Sequence, residues 1–297
     1  MHNVGVDVGG TKVAAALVND RGAIVKESRA ETDSSAYPSL LDGIVRAVDG
    51  LGEKAGAVGL AIAGNVAADG SNVLFSPHLP LNGEPLAADL RSRLAVPVLV
   101  DNDANAAAWA EQQVGAGEGA SEVLFVALGT GLGAGLIIRG EMYRGWMGFA
   151  GEAGHMTVVV GGRTCPCGSR GCWERYASGT ALVAEYIDRG GDPEIGGPAI
   201  TAAAQAGEHR ALAALTTVGE WTGRGLASLI AVLDPERIVV GGGLGEAGEL
   251  LLAPAREAMA ESVTGAGRRP LPPVVSAALG NRAGVIGAAL EAGRYAK

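Results

Sequence analysis

Twice in this chain, near residue 10 and again near residue 130, a short apolar strand runs into a Gly-Thr turn and leaves as another strand. The first copy begins with a strand over 3–8, valines at alternate positions, and turns through Asp7-Val8-Gly9-Gly10-Thr11-Lys12. Strands over 12–18 and 23–30 follow, joined by a turn at Asn19-Asp20-Arg21-Gly22. The second copy is a strand over 122–128, then Gly129-Thr130-Gly131-Leu132-Gly133-Ala134-Gly135, then a strand through Ile138. Glycines let backbone N–H groups approach a phosphate, Thr11 adds a hydroxyl, and Asp7 can hold Mg²⁺ directly or through water. The repetition predicts an α/β chain of two similar lobes facing each other across a phosphate. Neither a Walker A loop nor G-x-G-x-x-G is present.

With 297 residues the chain can build two lobes, each with its own core. We divide it into 1–114, joined by a C-terminal helix at 282–297, and 115–281, which carries an inserted loop at 151–174. The net charge is −9, and no basic stripe exists to hold nucleic acid or an anionic membrane. No apolar run reaches the roughly 20 residues that span a bilayer. The first residues go directly into Asn3-Val4-Gly5-Val6 with no export signal, so a cytoplasmic location is expected.

The loop holds all three cysteines of the chain, in Cys165-Pro166-Cys167-Gly168-Ser169-Arg170-Gly171-Cys172, behind Gly151-Glu152-Ala153-Gly154-His155. One His and three Cys form a four-ligand N/S set, which suits closed, tetrahedral, structural Zn²⁺. An odd number of thiols cannot all pair, and sulfurs one residue apart seldom meet disulfide geometry. Inert buried thiols are the alternative, but three within eight residues among Pro and Gly favour the metal.

Elsewhere the reading is coarser. A helix is expected at 38–53, with Leu40, Leu41, Ile44, Val45 and Val48 on one stripe, and a strand at 57–63 ending at Gly64-Asn65. Residues 66–95 are mixed, and His78 reads as an ordinary loop histidine. A strand at 96–100 meets Asp101-Asn102-Asp103-Ala104-Asn105, ahead of a helix at 104–114. Asp101 or Asn105 would serve as the cap, and Asp103 is the candidate general base. Helices at 176–188 and 208–233 flank a breaker-rich linker at 192–198. A strand at 237–240 opens into Gly241-Gly242-Gly243 and a helix at 246–262, where bare backbone can meet a nucleotide. A strand at 273–276 and a terminal helix close the chain.

These pieces in this order resemble the ROK family of sugar kinases, and within it the actinobacterial-type, ATP-dependent glucokinases. The resemblance covers essentially the whole chain. Its most specific part is Gly-Glu-x-Gly-His followed by Cys-x-Cys-Gly-x-x-Gly-Cys-x-Glu, which ends at Glu174. It implies an actin-like ATPase (ribonuclease H-like) fold, two lobes with an interlobe cleft. It implies nucleotide binding by Asp7, Gly9, Gly10, Thr11, Lys12, Gly129, Thr130, Gly131, Gly241, Gly242 and Gly243. It implies sugar contacts from Gly64, Asn65, Asn102, Asp103, Glu152, His155 and Glu174, with His155, Cys165, Cys167 and Cys172 on structural zinc. The implied reaction moves a phosphoryl group from ATP, with Mg²⁺, to the 6-hydroxyl of glucose, in a homo-dimer or homo-tetramer.

The sequence departs from the family in places. His78 and Leu81 stand where many relatives have Asn and Trp or Gly, Ala63 replaces a frequent Pro, and the loop from His155 to Cys165 is slightly short. These bear on the sugar. The alternatives are a kinase for another hexose or N-acetylhexosamine, such as fructose or N-acetylmannosamine, and a non-catalytic sugar sensor. A DNA-binding member of the family would carry a helix-turn-helix ahead of the first strand, and only six residues precede Asp7.

Overall fold

The computed structural model describes residues 2–10 and 12–296, so Thr11 lies outside the described residues. In β1 (Asn3–Val8) the valines alternate, and Val4, Val6 and Val8 are all buried. The strand turns back as β2 (Lys12–Val18), which pairs antiparallel with β3 (Ile24–Glu31). Asn19 builds the second turn, its Oδ1 accepting from the N–H groups of Arg21 and Ala23 at 3.0 and 2.9 Å. On its other side β1 pairs in parallel with β4 (Val58–Ile62), and β4 with β7 (Val98–Asn102). The sheet order is β3-β2-β1-β4-β7, with β5 (Asn65–Val66) and β6 (Val73–Phe75) forming a separate short hairpin.

The two faces of this sheet are packed differently. One meets α1 (Tyr37–Asp49) and α2 (Leu86–Leu94) through a large aliphatic cluster that includes Leu40, Ile44, Leu60, Leu86 and Leu90. Each buried Val or Leu there contributes about 1.5–3 kcal/mol. The other face meets α8 (Ala283–Tyr295), which also packs on α3 (Asp103–Val114), through small side chains such as Ala61, Ala106 and Ala288. Alanine buries little area, so this face depends on close approach. A Cβ on Gly5 would lie 1.8 Å from the Val285 carbonyl oxygen, and one on Gly59 would lie 1.9 Å from that of Ala288. The bare strands let the helix backbone rest on the sheet.

The second sheet repeats the first in order, β10-β9-β8-β11-β12. Its strands are β8 (Val123–Leu128), β9 (Leu132–Ile138), β10 (Glu141–Met142), β11 (Arg237–Gly241) and β12 (Val274–Ser276). Again the first strand of the set is central and pairs in parallel with a later one, β8 with β11 and β11 with β12. Four helices accompany it: α4 (Gly179–Asp188), α5 (Gly197–Gln205), α6 (His209–Leu233) and α7 (Glu249–Ser262). Glu208 caps α6 by accepting from the Ala211 N–H at 2.6 Å, and Asp234, in a left-handed conformation before Pro235, ends it.

The chain divides into two compact units, Met1–Gly119 with Gly135–Gly151 and Asn281–Lys297, and Ala120–Ala134 with Glu152–Gly280. Residues 135–151, assigned from sequence to the larger lobe, group with the first unit. Two helices differ from the sequence reading. α5 occupies part of the stretch read as a linker, and α2 lies within the region read as mixed. No helix among the described residues is long and apolar enough to cross a membrane.

Candidate active site and metal centre

Parallel pairing brings the first set of candidates to one edge of the first sheet. Val8 is paired with Ile62, and Ile62 with Asn102. The turns Gly9-Gly10, Gly64-Asn65 and Asn102-Asp103 therefore leave neighbouring strands at their carboxyl ends, where open α/β sheets bind ligands. Asp7 lies at the base of this edge. Burial raises its carboxyl above the ordinary range, and Lys12 opposes that only partly. A buried carboxylate of this kind gains from a nearby cation.

The helix cap is Asn102, where the sequence suggested Asp101 or Asn105. The Asn102 Oδ1 accepts from the N–H groups of Ala104 and Asn105 at 2.9 and 3.1 Å, and its Nδ2 donates to the Gly64 carbonyl at 3.1 Å. Asp103 opens α3 with an exposed side chain, and its Oδ1 accepts from the Ala104 N–H at 2.8 Å. Asp101 is buried, 2% exposed, and is bonded to Arg144, a residue the motifs do not contain. The loop after β6 is firmly held. Leu81 is buried, the Ser76 N–H donates to the Leu81 carbonyl at 3.0 Å, and His78 is exposed.

The second unit carries the other Gly-Thr turn. Ala127 is paired with Gly241, so Gly129-Thr130-Gly131 and Gly241-Gly242-Gly243 also leave adjacent parallel strands at their carboxyl ends. Gly242 has φ +79°, and a Cβ there would sit 2.5 Å from the Leu128 carbonyl oxygen. That position is open only to glycine. The start of α4 holds the turn from behind: the Gly179 N–H donates to the Gly129 carbonyl at 2.8 Å and the Thr180 hydroxyl to the Thr130 carbonyl at 2.6 Å.

The four predicted metal ligands converge. Their donor atoms, one each from His155, Cys165, Cys167 and Cys172, lie within 4.8 Å of one another. Cys165 Sγ is 3.8 Å from His155 Nδ1, and Cys167 Sγ is 3.6 Å from Cys172 Sγ. Tetrahedral bonds of about 2.0–2.3 Å would put neighbouring donors roughly 3.5–3.8 Å apart, so the set fits zinc. Burial pushes the Cys165 thiol up to about 12, whereas the Ser169 N–H draws Cys167 down to about 7. The far ring nitrogen of His155, Nε2, faces a Glu152 carboxylate oxygen at 3.6 Å.

Behind the metal ligands the loop has its own anchors. Trp173 is completely buried and donates from Nε1 to the Trp221 carbonyl of α6 at 2.8 Å. Arg163 donates to the Arg175 carbonyl at 3.0 Å and to Glu185 of α4 at 2.6 Å. Next to Trp173, Glu174 points one carboxylate oxygen at Cys165 Sγ, 3.3 Å away, and accepts from the Leu132 N–H with the other at 3.2 Å.

Each sheet thus carries a glycine turn at its central strand, and in the second unit one histidine and three cysteines cluster with Glu152 and Glu174 close by. The chain belongs to the ROK family, which residues 3–294 match. It has the family's two-lobed, actin-like ATPase fold and is a hexokinase-type phosphotransferase. It is 41% identical to a glucokinase of Streptomyces coelicolor, over 96% of both chains. It is 36% identical to an N-acetylgalactosamine kinase of Shewanella, over 96% of this chain and 95% of that one. A solved structure of a Streptomyces griseus ROK family glucokinase, in complex with glucose and AMPPNP, matches with TM-score 0.89 and 40% identity, over 99% of this chain and 100% of that one.

Proposed function

We propose that the chain is an ATP-dependent glucokinase that forms glucose 6-phosphate. The observation that carries this reading is the near-complete alignment with two Streptomyces glucokinases, one holding glucose and the nucleotide AMPPNP. The proposed sugar contacts are Gly64, Asn65, Asn102, Asp103, Glu152, His155 and Glu174. Glutamates accept from sugar hydroxyls, and a site built to bond hydroxyls rejects analogues that lack them.

In the reaction Asp103 takes the proton of the 6-hydroxyl as that oxygen bonds to the γ-phosphorus of ATP. The bond from the γ-phosphorus to the β,γ-bridging oxygen breaks and ADP leaves. Gly9, Gly10, Thr11, Lys12, Gly129, Thr130 and Gly131 hold the phosphates, and Gly241, Gly242 and Gly243 receive the adenosine. Mg²⁺, held by Asp7, would neutralise phosphate charge. Zinc on His155 and the three cysteines would be structural, since four protein ligands leave no open position. We further assign the enzyme to the cytoplasm, which suits reduced thiols, and to a homo-dimer or homo-tetramer.

The test is kcat/KM for glucose, mannose, glucosamine and N-acetylmannosamine, with ATP and with polyphosphate. ATP with glucose should be the best pair. A polyphosphate donor needs a track of Lys and Arg, and the chain has 23 of these against 32 acids. The resemblance to an N-acetylgalactosamine kinase supports a second reading as a hexosamine kinase. An N-acetyl sugar outperforming glucose would establish it.

A further inference from the structure

Arg144 lies in no motif, yet it reaches the turn that presents Asp103. Its Nε and Nη2 both donate to Asp101 Oδ2, at 3.1 and 2.7 Å, and Nη2 also donates to Glu291 Oε1 on α8. The other oxygen of Asp101 is engaged by the turn itself. It accepts from the Asn102 N–H at 2.7 Å and from the Asn105 side chain at 2.9 Å. Asn102 in turn caps α3 and holds the Gly64 carbonyl. A continuous hydrogen-bonded line thus runs from the C-terminal helix through Arg144 and Asp101 to the turn that carries Asp103.

The arrangement is an expensive way to gain stability. Asp101 and Glu291 are 2% and 8% exposed, two carboxylates share one guanidinium, and Glu291 Oε2 has no hydrogen-bond partner among the described residues. Buried ion clusters are often no more stabilising than apolar groups of the same shape. What the guanidinium adds is direction: a planar fork fixes a carboxylate in orientation where an ammonium does not. We propose that Arg144 is a positioning residue for phosphoryl transfer, holding Asp101 and through it the Asn102–Asp103 turn in reactive alignment. The proposal rests on the reading of Asp103 as the base.

The experiment is a double-mutant cycle on the full chain, with kcat, KM for glucose, KM for ATP and melting temperature measured for each variant. Arg144→Lys keeps the charge and loses the fork. It should lower kcat about 10-fold or more with KM for ATP unchanged, and Arg144→Met should lower it further. In an Asp103→Asn background Arg144→Lys should cost little more, because groups acting as a unit are non-additive. Wild-type kcat and glucose KM in Arg144→Lys, with only the melting temperature reduced, would make Arg144 a structural strut and overturn the proposal. A full additive loss in the double variant would overturn it too. Should Arg144→Met fail to fold, Arg144→Lys and Glu291→Gln carry the test, the latter expected to reduce kcat less than either Arg144 variant. If Asp103→Asn alone keeps wild-type kcat, the reading of Asp103 fails whatever Arg144 does.

Discussion

Glu174 accepts a hydrogen bond from the backbone N–H of Leu132 at 3.2 Å, tying the exit of the cysteine loop to the Gly129-Thr130-Gly131 turn. Glu174 is proposed as a sugar contact and that turn as a phosphate holder, so on this reading one carboxylate would serve both halves of the reaction. Glu174→Ala would remove the sugar contact and leave the Leu132 N–H without its acceptor. We expect KM to rise for glucose and for ATP, whereas Glu152→Ala raises it for glucose alone. Initial-rate kinetics with each substrate varied will separate the two patterns, and an unchanged ATP KM in Glu174→Ala would remove the link.

Asp103→Asn keeps the shape of the side chain and one acceptor but removes the proposed base. Proton-transfer catalysis is worth about 10²- to 10⁴-fold, so kcat should fall by that order while glucose still binds. Titration calorimetry alongside steady-state rates tests both halves. A variant that kept most of its kcat would show that Asp103 is not the base.

The His155, Cys165, Cys167 and Cys172 cluster should hold one zinc per chain, measured by elemental analysis of freshly purified protein. Trp173 and Arg163 anchor the loop independently of the metal. Chelation, or Cys167→Ser, should therefore raise hydrogen exchange over residues 152–171 and spare α4 and α6. Glucose affinity should fall more than nucleotide affinity. Protein containing no zinc would sink the assignment.

Burial alone would raise the Glu185 carboxyl, but bonds from Arg189 and Arg163 outweigh it and the group sits below its ordinary range. A depressed carboxylate stabilises the fold above its unfolded pKa, and that contribution is lost as pH falls through the folded value. The loss should begin below the ordinary glutamate range, about pH 4.3. Glu185→Gln should flatten this part of the acid-unfolding curve; an unchanged curve would count against the network.

Much of the fold could be read from the sequence because β strands with alternating valines and glycine turns leave a local signature. The metal set was equally plain, since its ligands fall within 18 residues, from His155 to Cys172. The cap was not. Asp101, Asn102 and Asn105 are all competent, and only the point where β7 ends decides that Asn102 takes the role. α2 has neither a side-chain cap nor a strong apolar stripe, so only Pro85 at its start and the charges of its first and last turns mark it locally, too little to separate it from the mixed region around it. Arg144 gave no signal, because its two partners stand 43 and 147 residues away along the chain. Contacts of that range are properties of the packing and leave no trace in spacing.

The seating of α8 on bare strand backbone has a consequence for how the molecule is made. β1 emerges from the ribosome early, yet the face of its sheet at Gly5 and Gly59 is completed only by residues 283–295. Domains commonly fold during synthesis from the N-terminal end, but here the first unit must wait for the last helix, while the second unit, ending at Gly280, has all its residues beforehand. Until then the glycine- and alanine-floored face of the sheet stands uncovered, and transiently exposed apolar surface of this kind recruits other chains. Folding of this protein should therefore order the middle of the chain first and close the two ends last, with its aggregation risk concentrated in the interval between.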